Sequence, residues 1–239
     1  MADLITNFNR TFITDSRYKL FLQGLEATLV IAFFATIIGI LIGILVAVLK
    51  VYIYQSKGQV KNGFLKVVHK IIDLILDTYL TLFRGTPVVV QLMILFYLVF
   101  TWINQGIYVA ILGFGINSGA YVSEIVRGGI LSIDKGQTEA GRSLGLTSWQ
   151  TMRCIVLPQA FKNILPALFN EFIALLKETS VAGYITVIDL TKAADLVRSR
   201  TFQAFFPLIS IAIIYLVLVI GLTWVQRSIE RRLRKSDRH

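Results

Sequence analysis

Long apolar runs alternate with short polar segments along this chain. Five runs approach or exceed the roughly 20 mainly apolar residues that a spanning helix needs. They predict transmembrane helices at residues 21–49, 87–103, 107–126, 164–188 and 204–225. The intervening stretch 64–84 is also apolar, but Asp73 and Asp77 stand four residues apart and therefore on one helical face. This favours an amphipathic surface helix, with a span starting there as the competing interpretation.

The charge pattern orients these helices. Segments assigned to the cytoplasm hold 17 of the 24 lysines and arginines, mainly in residues 50–70, in residues 131–163 and in the tail from Arg227. Because basic residues accumulate on the cytoplasmic side, the N-terminus is predicted outside and the C-terminus inside. The net charge of +10 is thus a feature of topology and of contact with lipid headgroups, and nucleic acid is not expected as a partner. The pattern predicts an all-α integral membrane protein in which residues 1–239 form one transmembrane domain.

The segment 131–163 is too polar to span and is predicted to be a cytoplasmic loop. Its glycine at position 145 can end a short helix in a left-handed conformation, and Ser148 resembles the N-cap of a second helix that Pro158 stops or kinks. Leu144, Leu146 and Trp149 are candidate anchors for the groove of a partner protein. An ordinary surface loop without a partner is the alternative on spacing alone.

The same loop resembles the "EAA" loop of permease subunits in binding-protein-dependent ABC importers. That family's pattern is Glu-Ala-Ala, three residues, Gly, nine residues, Ile-x-Leu-Pro. The chain matches it at every specified position except Gly141, where the family has Ala. Further stretches are similar to permeases for polar amino acids of the histidine and glutamine uptake type: Arg84-Gly85-Thr86-Pro87, Arg127-Gly128-Gly129-Ile130, Asn170-Glu171 and Lys177-Glu178-Thr179-Ser180.

The resemblance implies a type I ABC importer (MetI-like) permease fold in a bacterial inner membrane. It implies three partners: an ATP-binding cassette ATPase dimer, a second permease chain (identical or paralogous) and an extracytoplasmic amino-acid-binding protein. No cofactor is expected on this chain, and ATP-Mg belongs to the partner ATPase. The residues implied in coupling to that ATPase are Glu139, Ala140, Gly141, Gly145, Leu146, Trp149, Ile155, Leu157 and Pro158.

The chain itself is not expected to be an enzyme. Gly58 to Gly63 has the glycine spacing of a phosphate-binding loop but continues with Phe64-Leu65, where that loop has Lys and Ser or Thr. A metal site is not expected either, since His69 and His239 are far apart.

Polar residues inside spans are the candidates for the substrate pathway, because charges there are costly and mark functional sites. They are Asn170 and Glu171 on the fourth span and Glu124 on the third. Glu124 lies three residues before Arg127, so simple pairing with Arg127 is its alternative role. For the whole chain, a channel or secondary transporter for small polar solutes, working without an ATPase, is the rival function.

Overall fold

Helices make up nearly all of the chain that the computed structural model describes, which is residues 2–56 and 62–235. In chain order they are α1 (Ala2–Phe8), α2 (Tyr18–Ser56), α3 (Gly63–Gly85), α4 (Val88–Ile94), α5 (Gly106–Leu131), α6 (Lys135–Ser143), α7 (Ser148–Thr151), α8 (Leu157–Glu178), α9 (Leu190–Thr201) and α10 (Phe205–Lys235). Lys57, Gly58, Lys61 and Arg238, on which part of the charge and glycine patterns rest, lie outside the described residues.

Three described helices are long and apolar enough to cross a membrane, namely Tyr18–Ser56, Gly106–Leu131 and Phe205–Leu233. Counting Gly63–Gly85 with Val88–Val99 as one bent span gives a fourth. The predicted span 164–188 is not one continuous α-helix, because α8 ends at Glu178 and a 3₁₀ segment, Thr179–Ile185, follows it. The fold is therefore all-helical with three to four apolar candidates, and the five-span arrangement stays a prediction.

Local sequence explains where α3 and α4 begin. The Asn62 side chain accepts a hydrogen bond from the Phe64 N–H at 3.0 Å, which caps the first turn of α3. Pro87, which has no N–H to lose and a fixed φ, precedes α4 in an extended conformation. After α4 the chain continues through a π-helical turn, Leu95–Val99, so the regular helix is shorter than the predicted 87–103.

Two compact units account for the contacts of the chain. The first comprises Met1–Ile37, Pro87–Gly115 and Phe172–Ser228, and the second Ile38–Thr86, Ile116–Glu171 and Ile229–His239. The first unit has an apolar core in which Ile31, Leu92, Phe114 and Leu176 are fully buried. The second is built from smaller clusters, one around Val122, Val156 and Ala160, which supports the segment between α5 and α8.

Glycines set the packing of α2 against α5 within the second unit. A Cβ at Gly39 would lie 3.0 Å from the Ser118 Oγ, and one at Gly43 would lie 2.6 Å from the Val122 Cβ. Real Cβ atoms essentially never approach as closely as a Cβ at Gly43 would, and a Cβ at Gly39 would require Ser118 to shift by a few tenths of an ångström. The close packing of the two helices therefore depends on both positions lacking a side chain. This is the close approach that the Gly-x-x-x-Gly spacing permits.

Candidate functional site

The segment between α5 and α8 contains a helix, a tight turn and a second helix. The Asp134 side chain accepts a hydrogen bond from the Gly136 N–H at 2.7 Å and so caps α6. At the other end, the Leu146 N–H donates to the Gly141 carbonyl at 3.1 Å and the Gly145 N–H donates to the Arg142 carbonyl at 3.0 Å. These two bonds form a Schellman motif, and Gly145 has the left-handed φ of 84° that the motif requires.

The second helix begins one residue earlier than the sequence suggested. Thr147, and not Ser148, is the N-cap: its hydroxyl accepts from the Gln150 N–H at 3.2 Å. The Gln150 side chain in turn accepts from the Thr147 N–H at 2.8 Å, which completes a capping box. The spacing Thr-x-x-Gln is the signal that distinguishes the two candidates, because only Thr147 has Gln three residues later.

Pro158 does not end this helix. The chain passes from α7 through a π-helical turn, Met152–Val156, directly into α8, which begins at Leu157. A proline has no N–H to donate, and a π turn just before it changes the hydrogen-bond spacing where that donor is missing. The prediction that Pro158 stops the helix is therefore wrong, and one helical path joins the loop to Glu171. A kink at Pro158 stays a prediction.

Gly141 is the buried residue of α6. A Cβ built there would lie 2.8 Å from the Thr151 Cγ2 and 2.9 Å from the Ile155 Cδ1. The space that an alanine methyl needs is thus occupied by two side chains of the following helix. The departure from the family pattern at Gly141 is explained by packing, and its weaker helix propensity is secondary.

Several apolar side chains of the loop point away from the protein. Leu144 is 81% exposed and Trp149 is 68% exposed. Leu157 and Pro158 are also exposed, as are Glu139, Ala140 and Gly145, whereas Leu146 and Ile155 are half-buried. The predicted coupling residues therefore divide into an inner group that holds the turn together and an outer group available for contact.

Glu171, on α8, is bonded to α5. The Ser118 hydroxyl donates to the Glu171 Oε1 at 2.8 Å. Ser118 is the residue that Gly39 allows α2 to approach, so three helices meet around this carboxylate. Asn170 is exposed beside it. Sequence reasoning named Glu171 but not Ser118, because nothing in the sequence links two residues 53 positions apart.

Glu124 is held by arginine. Arg127 donates to both of its carboxylate oxygens, at 3.2 and 2.6 Å, and an Arg84 nitrogen lies 3.9 Å from Oε2. The Arg84 guanidinium also lies over the Tyr121 ring, 5.7 Å from its centre. The pairing of Glu124 with Arg127 that the sequence left open is present.

A second charged cluster joins α2 to α3. The Lys50 Nζ lies 2.9 Å from the Asp73 Oδ1 and 2.6 Å from the Asp77 Oδ1. The sequence placed Asp73 and Asp77 on the polar face of an amphipathic helix, and the structure adds that both pair with a lysine on another helix. The i, i+4 spacing showed that the two carboxylates share a face, but it could not identify their partner.

Comparison with known proteins identifies the class. Residues 63–235 match the family described as "Binding-protein-dependent transport system inner membrane component". The chain belongs to this family. It is the membrane component of an importer, and the rival class of channels or secondary transporters without an ATPase finds no support among its relatives.

The relatives are named as amino-acid permeases. The chain is 39% identical over 220 residues to the arginine transport system permease protein ArtQ of Bacillus subtilis, covering 90% of this chain and 93% of the relative. It is 41% identical over 172 residues to the putative glutamine transport system permease protein GlnP of Rickettsia bellii, covering 69% and 77% respectively. It is also 41% identical over 162 residues to the L-cystine transport system permease protein TcyB of Bacillus subtilis, covering 66% and 69%.

Solved structures agree on the fold. A crystal structure described as an amino acid ABC transporter with histidines matches with a TM-score of 0.79 and 39% identity, covering 92% of this chain and 98% of that one. An inward-facing structure of the MetNI methionine ABC transporter matches with a TM-score of 0.73 over 90% of this chain and 97% of that one. At 21% identity the second match speaks for the fold alone. The fold is that of a type I ABC importer permease.

Proposed function

We propose that this chain forms the translocation pathway of an ATP-driven importer for amino acids in a bacterial inner membrane. The substrate class is supported by the names of its relatives, which include arginine, glutamine and cystine permeases. ATP-Mg is bound by a separate ATPase dimer, a second permease chain completes the pathway, and an extracytoplasmic binding protein delivers the substrate. The chain crosses the membrane five times, with its N-terminus outside and its C-terminus in the cytoplasm.

The loop between α5 and α8 couples this pathway to the ATPase. The observation that carries the proposal is that Leu144 and Trp149 are exposed on a turn that is otherwise closed by its own hydrogen bonds. Large exposed apolar side chains on a rigid support are typical of an interface with another protein. Since α7 continues through the π turn into α8, a push on this turn is transmitted along one helix towards Glu171.

Glu171 contacts the substrate or the water of its pathway, with Asn170 beside it. A carboxylate at this position can accept a hydrogen bond from a substrate ammonium or a cationic side chain. Ser118 holds it in one orientation, which a selective site needs. Uptake by a Glu171→Gln chain measures this role, and unchanged uptake and selectivity would remove Glu171 from the pathway. Glu124 is the weaker candidate, because its carboxylate is already bonded to Arg127.

Gly145 provides the test of coupling. No atom lies within 4 Å of a Cβ built there, so a substitution changes the backbone preference and not the packing. The left-handed conformation costs a non-glycine residue about 1–2 kcal/mol, and the cost is higher for a β-branched residue. Asn tolerates that conformation and is the matched control.

We expect Gly145→Val to leave the importer assembled in proteoliposomes but to reduce the amount of arginine or glutamine taken up per ATP hydrolysed. A penalty of about 1.4 kcal/mol corresponds to about tenfold, while Gly145→Asn stays close to the unmodified chain. Equal uptake per ATP in all three chains would refute the coupling role.

Cys154 provides the test of orientation. It is the only cysteine of the chain, it is exposed, and it lies in the π turn of this loop. A membrane-impermeant maleimide should label it in inside-out vesicles and leave it unlabelled in intact cells. The reverse pattern would contradict the proposed topology.

A further inference from the structure

A cluster of two arginines and one glutamate lies in the second compact unit, where the end of α3 meets α5. The Arg84 Nη1 lies 3.9 Å from the Glu124 Oε2, and the Arg127 Nη2 lies 2.6 Å from the same oxygen. The sum of these two distances, 6.5 Å, is therefore the largest separation that the two nitrogens can have. One carboxylate thus holds two guanidinium groups close together.

This cluster carries more positive than negative charge, because both guanidiniums stay protonated and Glu124 supplies the one carboxylate between them. In the described part of the chain Arg84 donates no hydrogen bond, and its guanidinium lies over the Tyr121 ring. Arg127 uses only its Nε and Nη2 groups for Glu124. Since a guanidinium has five N–H donors, both arginines keep donors for a further anion.

The cluster lies on an open face of α5. Tyr121, Glu124 and Gly128 stand at i, i+3 and i+7 and so share this face. Tyr121 is exposed, and no atom from another part of the described chain lies within 4 Å of a Cβ built at Gly128. The side chains of Arg84 and Arg127 are 43% and 40% exposed. Charged residues of a spanning helix face the interior of the bundle or a water-filled cavity, which in a permease is the translocation pathway.

We propose that Arg84 and Arg127 bind the α-carboxylate of the transported amino acid at the cytoplasmic end of the pathway. A charge-assisted hydrogen bond measures about 2.7–2.9 Å, so a carboxylate that accepts one bond at each of its oxygens can bridge the two nitrogens. Glu124 positions the guanidiniums and does not contact the ligand ammonium. The inference rests on the proposed function, because that function supplies both the ligand and the orientation.

A carboxylate site of this kind recognises what different substrates share. The relatives are named as permeases for arginine, glutamine and cystine. The side chains of these three amino acids differ in charge and length, but each molecule carries an α-carboxylate. The arginine pair therefore binds amino acids as a class, and the choice among them is made elsewhere.

A lipid phosphate offers the same oxyanion chemistry at the cytoplasmic surface of the membrane. Water-soluble probes distinguish the two sources. L-glutamine and L-arginine represent the transported amino acid, and sn-glycerol 3-phosphate represents the lipid headgroup. Glutaminamide and argininamide keep the ammonium and the side chain but lack the carboxylate, so they isolate its contribution to binding.

The experiment measures equilibrium binding of each probe, at millimolar concentrations, to the assembled importer in detergent. Every chain carries Glu171→Gln, so that the proposed ammonium site does not dominate. Arg84→Gln is the test substitution, and Lys66→Gln, at an exposed lysine of the same helix, is its matched control. Arg84→Gln should weaken the binding of glutamine and arginine by about tenfold or more, the size expected of a hydrogen bond to a charged group. It should leave the binding of the two amides unchanged, and Lys66→Gln should leave all four unchanged.

A second substitution has the opposite expected sign. Glu124→Gln removes the negative charge of the cluster but keeps both arginines, so it should tighten the binding of glutamine and arginine. A purely structural role of the ion pairs predicts weaker binding instead. This variant tests the site independently of whether Arg84→Gln assembles.

The inference is overturned if Arg84→Gln binds glutamine and arginine as tightly as Lys66→Gln does, or if it loses the amides to the same extent. It is also overturned if Glu124→Gln weakens binding, or if the chain with both arginines binds neither amino acid. Binding of glycerol 3-phosphate without binding of the amino acids would assign the site to lipid. Uptake of arginine or glutamine by the unmodified importer tests the proposed function separately: normal uptake with unaltered binding by Arg84→Gln defeats this inference alone.

Discussion

Two short helices, α6 and α9, begin in the same way but differ in how much of their surface is buried. Both follow an aspartate N-cap, and both lie in stretches too polar to span a membrane. Of the nine residues of α6 only Gly141 is buried, whereas α9 buries Leu190, Ala193, Ala194 and Val197 among its twelve. The first helix leaves its neighbouring apolar side chains in solvent, and the second buries its own.

The two N-cap residues differ in burial as their helices do. The Asp189 side chain is fully buried and accepts from the N–H groups of Thr191 and Lys192 at 2.9 and 3.3 Å. Burial raises the pKa of this carboxyl above its usual value, and the backbone hydrogen bonds offset this effect only in part. Asp134 makes a single bond to Gly136 and is exposed. α9 is therefore part of the scaffold of its unit, while α6 is stabilised mostly by its own caps.

The strongest test of this contrast is the same substitution in both segments. Leu190 is fully buried, and Leu144 is 81% exposed. Leu190→Ala should lower the free energy of unfolding by about 2–5 kcal/mol, because it leaves a cavity in a packed cluster. Leu144→Ala should change it by less than about 0.5 kcal/mol while weakening association with the ATPase. Denaturant unfolding in detergent and co-purification with the ATPase measure the two effects, and comparable destabilisation by both changes would end the distinction.

The next test concerns the one buried residue of α6. Gly141→Ala restores the family's residue, yet its methyl would overlap the Thr151 Cγ2 and the Ile155 Cδ1. Overpacking of this kind costs about 1–3 kcal/mol. Thr151→Ser with Ile155→Val removes both obstructing methyl groups and should recover most of the loss. Hydrogen exchange of the α6 amides reports the change, and full stability of Gly141→Ala alone would show that the neighbours move aside.

The smallest effect is expected at the N-caps. Asp189→Ala should destabilise its helix by about 1–2 kcal/mol and Asp134→Ala by about 0.5–1 kcal/mol, within the usual range for a lost cap. The larger value belongs to Asp189 because its removal also leaves buried N–H groups unpaired. The corresponding Asn variants keep an acceptor and serve as controls. Amide exchange in α6 and α9 should rank the variants in this order, and the opposite order would contradict it.

The sequence of α9 contains local signals that predict a helix. Leu190, Ala193, Ala194 and Val197 follow the i, i+3, i+4, i+7 spacing of a helix face, and Asp189 precedes them as an N-cap. A search for long apolar runs passes over this segment, because Lys192, Asp195, Arg198 and Arg200 interrupt it. Local patterns of this kind are available from one chain and could have predicted the helix.

The ion pairs between different helices and the Ser118–Glu171 hydrogen bond cannot be predicted from local spacing in this way. Lys50 meets Asp73 across 23 positions, and Ser118 meets Glu171 across 53. Such partners are brought together by helix packing, which depends on residues such as Gly39 elsewhere in the chain. The helix caps are encoded locally, with Thr147 and Gln150 as the clearest case, and so is the i, i+3 pair of Glu124 with Arg127. The ion pairs between different helices are not.

The occupied space around Gly141 has a consequence for exchanging parts between permeases. Residues 141, 151 and 155 form one packing unit, although they stand on two sides of the turn. A chimaera that takes alanine at position 141 from a relative but keeps Thr151 and Ile155 would have a steric overlap between the two helices of the loop. The junctions of a chimaera should therefore lie outside residues 134–157, so that the whole segment comes from one parent protein.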